Sequence, residues 1–437
     1  MSVIKYDLSA NCGKFRIMHA VNNGPVHKRH ANDQKRSNLD SFKAARIPYA
    51  RNHDAAFNAG YGGEHTVDIS AIFPNFDADP YDPASYDFAC TDEYIAITLE
   101  AGTETFYRLG QKIEHYIKKF NVYPPKDFKK WAVICEHIIR HYNYGWADGF
   151  EYNIKYWEIW NEPDLDYNKP IIRTWGGTRE EFFDLYEISA KHLKSCFPEL
   201  KIGGPAICGD VNWADDFLCE MSKRGVPIDF FSWHIYTNRV PHVAERAAKV
   251  KDSMVKYGYG DAESILNEWN YVHGWSGDEF VYSIQQIIGL KGASFTLAVM
   301  CESQRSDIID MLMYYDARPT VFNGLWDFYT LRPLRGYYPF LWYADMYELD
   351  HEVRCDSLPE DIYSLAGVSK EGKVCAVATY YTNDDNAEPK TFTFDFGKEG
   401  EYDVYLLSAD PDPMKATRTK DLTFTLDRCV SILVKEV

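Results

Sequence analysis

Two glutamates stand out by their neighbours and their spacing. Glu162 closes the stretch Lys155 to Asp164, KYWEIWNEPD, and Glu268 lies within Ser264 to Tyr271, SILNEWNY. In each, a short aromatic and aliphatic run leads into Asn-Glu: Asn161-Glu162-Pro163 in the first, Asn267-Glu268-Trp269 in the second. Two facing carboxyl groups suit acetal cleavage. The leaving oxygen needs a proton, and the developing oxocarbenium ion needs a nucleophile or a stabilising charge. A carboxyl pair supplies both, and its separation sets the stereochemistry. The charge of Glu268 is expected to raise the proton affinity of Glu162 and keep it protonated for that work.

The elements that hold these residues follow from pattern. Both runs are short and apolar on both faces, the signature of fully buried parallel strands. Pro163 cannot donate to a sheet ladder, so it ends the first strand and is expected to leave Glu162 extended. A carboxylate at the carboxyl end of a buried parallel strand is where barrel enzymes keep their reactive groups. Six more strand candidates are Phe15–Val21, Arg46–Ala50, Glu104–Leu109, Lys201–Ala206, Asp229–Thr237 and Asp310–Asp316. Helical patterns lie between them at Lys35–Ala45, Thr91–Ala101, Asp127–Tyr144, Thr178–Phe197, Trp213–Arg224, Val243–Tyr257 and Phe280–Cys301. Thr178 with Glu181 three residues on is a capping box. Eight strands alternating with helices predict an α/β fold of TIM (β/α)8-barrel type. A doubly wound sheet would carry a Gly-rich phosphate turn after its first strand, and FRIMHAVNNGP has none.

From about Tyr343 the texture changes to short period-two runs bounded by Asn, Asp, Gly and Pro, which predict an accessory all-β sandwich. Residues 3–9, VIKYDLS, are expected to add an edge strand to it. The predicted division is a catalytic barrel at 12–340, and an accessory β-sandwich at 341–437 plus 1–10. Residues 60–90 read as a long ordered loop. Its acidic run NFDADPYDP lacks the calcium-loop spacing D-x-[DN]-x-[DN]-G-x5-E and reads as solvated.

The totals narrow the function. With 437 residues and 46% hydrophobic content, the chain can bury a large core. Aromatics make up 16% and acids outnumber bases to a net charge of −18. Aromatic planes stack on sugar rings and carboxylates bind hydroxyls, whereas the charge argues against nucleic acid or an anionic membrane as partner. No apolar run approaches membrane-spanning length. The ten cysteines show no CxxC or zinc-like spacing and read as free thiols of a reducing compartment. MSVIKYDLSANCGKF has no basic region leading into an apolar core, so the expected location is cytoplasmic. With no G-x-x-x-x-G-K-[ST], H-E-x-x-H or complete G-x-G-x-x-G, neither a metal nor an organic cofactor is expected.

WEIWNEPD resembles the acid/base strand of the clan of retaining (β/α)8-barrel glycoside hydrolases, and ILNEWNY matches its nucleophile strand. The layout is most similar to glycoside hydrolase family 39, which includes β-xylosidases and α-L-iduronidases. The likeness takes in SWHIYT before the nucleophile strand and a terminal β-sandwich that recruits the N-terminus. It implies that Glu162 is the general acid/base and Glu268 the nucleophile. It further implies that Asn161 bonds the sugar 2-hydroxyl, that His234 and Tyr236 line the −1 subsite, and that His53 contacts substrate. The sequence departs from the family at strand eight, MYYDARPTVFNGLWD, where Asp316, Arg318 and Trp326 are the candidates for the corresponding subsite. His19, at the end of strand one, is a further candidate. The implied activity is that of a retaining, β-xylosidase-like hydrolase acting from the chain end of short oligosaccharides, with carboxyl groups about 5–5.5 Å apart. Alternatives are α-L-iduronidase, β-glucosidase, β-galactosidase or arabinose-releasing specificity, or a non-catalytic carbohydrate-binding protein on the same fold.

Overall fold

The computed structural model describes residues 2–27, 37–53, 66–410 and 412–437. The predicted helix start at 35–36 and the loop portion at 60–65 lie outside the described residues. After an outlying strand β1 (Ser2–Asp7), eight parallel strands follow in chain order. They are β2 (Ile17–Asn22), β3 (Tyr49–Arg51), β4 (Glu104–Leu109), β5 (Tyr156–Ile159), β6 (Lys201–Ile207), β7 (Phe230–Thr237), β8 (Glu263–Tyr271) and β9 (Met311–Tyr314). They close into a barrel, β9 pairing with β2. The expected TIM barrel with an accessory all-β region is borne out.

The helices are α1 (Leu39–Ala44), α2 (Ile69–Ile72), α3 (Ala89–Glu100), α4 (Phe128–Tyr144) and α5 (Arg179–Cys196). They continue with α6 (Val211–Lys223), α7 (Val240–Lys256), α8 (Gly277–Ile287), α9 (Leu290–Ser306) and α10 (Tyr337–Tyr347). Asp127, Thr178 and Asp210 cap α4, α5 and α6 through their side chains, and the Thr178–Glu181 box is formed. The helix expected over Phe280–Cys301 is two helices bent by 76°. Gly289 sits in the break in an extended conformation, and the bend lets α9 bury nearly its whole surface. Among the described residues no single helix is long and apolar enough to cross a membrane.

Alternate residues of each barrel strand face opposite ways. Outward, Trp157 stacks on Tyr107 at 4.7 Å beneath the helices. Inward, Phe106, Tyr156, Phe230, Ile265, Met311 and Met313 fill the lower half with an apolar plug.

The predicted boundary at 340/341 cuts through α10. Phe340 packs its ring on Tyr314 of β9 at 5.5 Å, and Tyr343 meets Phe15 at 6.3 Å, so this helix completes the barrel's outer ring. Beyond it come β10 (His351–Glu352), β11 (Arg354–Cys355), β12 (Ile362–Val368), β13 (Val374–Tyr380) and β14 (Lys390–Asp395). The last are β15 (Tyr402–Leu407), β16 (Thr417–Thr419), β17 (Thr423–Leu426) and β18 (Ser431–Glu436). They form two sheets, β11-β1-β14-β17 and β10-β12-β13-β18-β15-β16. The N-terminal strand is therefore not an edge strand as expected. Ser2 to Lys5 pair parallel with β14, and Tyr6 and Asp7 pair antiparallel with β11, so the strand lies between these two neighbours. Its alternation drives this, for Ile4 and Tyr6 enter the second core beside Phe392, Phe394 and Phe396.

Candidate active site

The next inward positions above the apolar plug are polar. Two residues beyond Tyr49, Tyr156 and Phe230 come Arg51, Glu158 and Ser232. Glu158 is fully buried and accepts from Arg51 Nε at 2.7 Å, Ser232 Oγ at 2.6 Å and Asn267 Nδ2 at 2.5 Å. The remaining guanidinium nitrogens of Arg51 spread upward. Nη1 donates to Asn22 Oδ1 at 3.1 Å and to Glu268 Oε2 at 3.3 Å, and Nη2 donates to Asn161 Oδ1 at 2.7 Å. A buried cation is thus shared between a structural anion below and the site above.

Glu268 reaches the site through an irregularity. Along β7 and β8, Trp233 pairs with Leu266 but His234 pairs with Glu268, so Asn267 is the extra residue of a bulge. The bulge lets two successive residues face inward, Asn267 down to Glu158 and Glu268 into the cavity. Tyr236 donates its hydroxyl to Glu268 Oε1 at 2.6 Å. His53 Nε2 lies 3.6 Å from Oε2, and His234 Nδ1 lies 3.7 Å from it. Burial pushes the Glu268 carboxyl up to about 7, and the nearby Glu162 adds to the rise, while His234, Arg51 and the Tyr236 hydroxyl pull the other way.

Glu162 does not take the extended conformation expected before Pro163. Its φ is 49°, in the left-handed region. The surroundings dictate this: its N–H must reach Ala206 O on β6 at 2.9 Å while its carbonyl accepts from Thr174 Oγ1 at 2.6 Å. Such a backbone at a non-glycine residue stores roughly 1–3 kcal/mol and persists only where neighbours over-determine it. Asp164 adds a clamp, accepting the amides of Cys208, Gly209 and Asp210 at 2.8, 3.1 and 3.0 Å. Burial pushes the Asp164 carboxyl up to about 6 despite these donors.

His234 lies between the two carboxyl groups, 2.8 Å from Glu162 and 3.7 Å from Glu268. Burial pushes this fully enclosed imidazole down to about 4, so it is neutral near pH 7. Its Nδ1 lies 2.8 Å from Glu162 Oε1 and joins the imidazole to that carboxyl by a hydrogen bond. Arg51 and Tyr236 both donate to Glu268 and favour its charged form, against the burial that raises its proton affinity. One oxygen of each carboxyl and His234 Nδ1 lie within 4.8 Å of one another. That triangle has the dimensions to hold a cation, but Arg51 already supplies the positive charge there.

The structure brings together Glu162, Glu268, Asn161, His234, Tyr236 and His53. Asp316 is fully buried and holds the loop after β9, accepting from Asn23 Nδ2 at 2.7 Å and from the Arg318 amide at 2.7 Å. Trp326 is not a sugar-facing residue. It is 1% exposed, stacks on Phe42 of α1 at 5.2 Å and donates Nε1 to Ser41 Oγ at 2.7 Å. His19 is buried against Tyr343 and Tyr347, facing α10 on the barrel's outer side. Sequence reasoning missed the Arg51–Glu158–Ser232 layer, although a glutamate at an inward position of YWEIW was a signal for it. It also missed an aromatic wall. Trp275, 60% exposed, meets Tyr236 at 5.1 Å, and Phe322 and Tyr315 flank Tyr236 at 5.8 and 6.4 Å.

Residues 64–263 match the model of glycosyl hydrolases family 39, a span that includes Glu162 and stops short of Glu268. A β-xylosidase of Geobacillus stearothermophilus is 34% identical over 174 residues, covering 37% of this chain and 32% of that protein. A β-xylosidase of Caldicellulosiruptor saccharolyticus is 32% identical over 206 residues, covering 44% of this chain and 39% of that one. The match thus spans about a third of the length of these relatives. The crystal structure of a glucosidase from Croceicoccus marinus superposes with a TM-score of 0.77 at 20% identity, covering 100% of this chain and 98% of that one. The family resemblance carried by WEIWNEPD is borne out over the matched span.

Proposed function

We propose that this chain, similar to glycosyl hydrolases family 39 through its central span, is a retaining glycosidase working by double displacement. The observation that carries this reading is the proximity of Glu162 and Glu268, with one oxygen of each within 4.8 Å of the other. Inverting enzymes hold their carboxyls about 6.5–9.5 Å apart to admit a water, whereas retaining ones need the closer spacing. Glu268, charged and oriented by Arg51 and Tyr236, attacks the anomeric carbon as Glu162 protonates the leaving oxygen. Glu162, now ionised, then takes a proton from water, and the hydroxide formed displaces Glu268 from the sugar. Asn161, fixed by Arg51, is positioned to bond a sugar hydroxyl beside the nucleophile, and His53 faces the same space.

The substrate class that fits is a short oligosaccharide or glycoside bearing a terminal xylose-like sugar, in line with the activity named for the two relatives. The aromatic wall at Trp275 and Phe322 suits the far face of the group being expelled. Ten free thiols are compatible with action in the cytoplasm. Proton NMR of the first-formed sugar tests the reading. The product should appear with the anomeric configuration of the substrate, and the opposite anomer would remove Glu268 from the nucleophile's role.

A further inference from the structure

Outside the barrel, α4 and α5 lie side by side, and three metal-binding side-chain types converge where they meet. Glu136 comes from α4, and His192 and Cys196 come from one turn of α5, four residues apart and so on one face. Glu136 Oε2 lies 2.7 Å from His192 Nε2, Cys196 Sγ lies 3.9 Å from the same nitrogen, and all three donor atoms fall within 4.8 Å of one another. Arg140 Nε holds the other oxygen of Glu136 at 2.7 Å, which fixes the carboxylate with Oε2 turned toward the imidazole.

The arrangement is not a Cys-His-Glu nucleophile. In such a relay the thiol and the carboxylate engage opposite ring nitrogens. Here both face Nε2, so they share a point in space rather than a proton path. Burial and the charge of Glu136 also push the Cys196 thiol up, the reverse of activation. A shared point is what a metal ion requires. With metal–nitrogen and metal–sulfur bonds of about 2.0 and 2.3 Å, a tetrahedral centre sets nitrogen and sulfur about 3.5 Å apart. The observed 3.9 Å must close slightly to reach that value, and the 2.7 Å between Glu136 Oε2 and His192 Nε2 must open to about 3.3 Å as the ion replaces their hydrogen bond. The His192 side chain is 30% exposed, which leaves a fourth position open to water.

We propose that Glu136, His192 and Cys196 form a binding site for a zinc-like divalent cation that pins α4 to α5 outside the catalytic centre. Mixed nitrogen, sulfur and oxygen donors favour zinc over magnesium or calcium. On binding, Cys196 loses its proton to solvent and becomes the thiolate ligand. His192, whose Nε2 faces the Glu136 carboxylate at 2.7 Å in the metal-free protein, must give up the Nε2 proton and carry one on Nδ1 to ligate through Nε2.

The test uses the full chain with zinc and cobalt ions. Chelator competition should find a zinc site that weakens at least tenfold in both Cys196→Ser and His192→Gln, with one proton released per ion. Cobalt should give a near-ultraviolet thiolate charge-transfer band that is lost in Cys196→Ser. The band should remain in Cys208→Ser, which removes the thiol nearest Glu162. Absence of the band in the unsubstituted protein, its survival in Cys196→Ser, or zinc affinity indifferent to both helix variants would overturn the proposal. The band and the proton release are read on the unsubstituted protein, so the test stands even if a variant fails to fold.

Discussion

Replacing Glu268 with glutamine keeps the shape of the side chain and removes its titration. The folded carboxyl sits at about 7 against an ordinary 4.5, a difference of 7 − 4.5 = 2.5 pH units. At about 1.36 kcal/mol per unit this corresponds to about 3 kcal/mol. The sign follows from linkage. A raised value means that the folded protein holds this proton more tightly than the unfolded chain does. The stabilisation is fully present below about pH 4.5 and is lost as pH rises through about 7. Above pH 8 the parent protein therefore bears a buried charge that Glu268→Gln does not. The stability of Glu268→Gln relative to the parent should rise by about 3 kcal/mol between pH 4.5 and pH 8. For 437 residues the entropy of unfolding is about 0.9 kcal/mol/K, so the difference in melting temperature should move by about 3–4 °C. Losses from altered contacts to Arg51 and Tyr236 that do not depend on pH cancel in this comparison. Calorimetry of both proteins across that range is the assay. A difference that stays flat, or that shrinks as pH rises, would refute the claim that burial raises the proton affinity of Glu268.

Glu158→Ala should destabilise by about 3–5 kcal/mol in urea unfolding, because it leaves the Arg51 guanidinium buried without its counter-charge below. Tyr236→Phe removes a 2.6 Å donor that holds the Glu268 carboxyl down, so the acidic limb of kcat/KM should move up by about one pH unit. Trp275→Ala should raise KM up to about tenfold for glycosides whose expelled group is a second sugar, and leave KM for methyl glycosides unchanged.

What the sequence made legible was what period and composition carry. The eight buried strands and the capping box at Thr178 depend on residues close in sequence, and both were visible. So were Glu162 and Glu268, because each sits at the end of its own apolar run. Arg51 was less legible. It shows no local pattern, and its role comes from four partners on or just beyond other strands, Asn22, Glu158, Asn161 and Glu268. The left-handed turn at Glu162 was hidden for a similar reason. Local propensity before proline favours an extended chain, while Ala206 and Thr174, distant in sequence, impose the turn. Trp326 misled because a tryptophan after the last strand has the composition of a sugar platform, yet Phe42 on α1 covers it. The central place of β1 in its sheet could not be read either, since strand order depends on pairing partners about 350 and 390 residues further along the chain.

The roles assigned to the two glutamates face their most direct test in azide rescue of Glu162→Ala and Glu268→Ala on an aryl glycoside with an acidic phenol. Glu162→Ala loses proton transfer, worth about 10²–10⁴-fold on a natural substrate. It should still release phenol in a burst and then turn over slowly, because no base remains to activate water. Azide should accelerate that turnover and give a glycosyl azide of the substrate's anomeric configuration. Glu268→Ala lacks the nucleophile, and azide entering in its place should give the opposite anomer. If the two azide products are exchanged between the variants, or if Glu162→Ala shows no burst on the activated substrate, the assignment of Glu162 as acid/base and Glu268 as nucleophile is wrong.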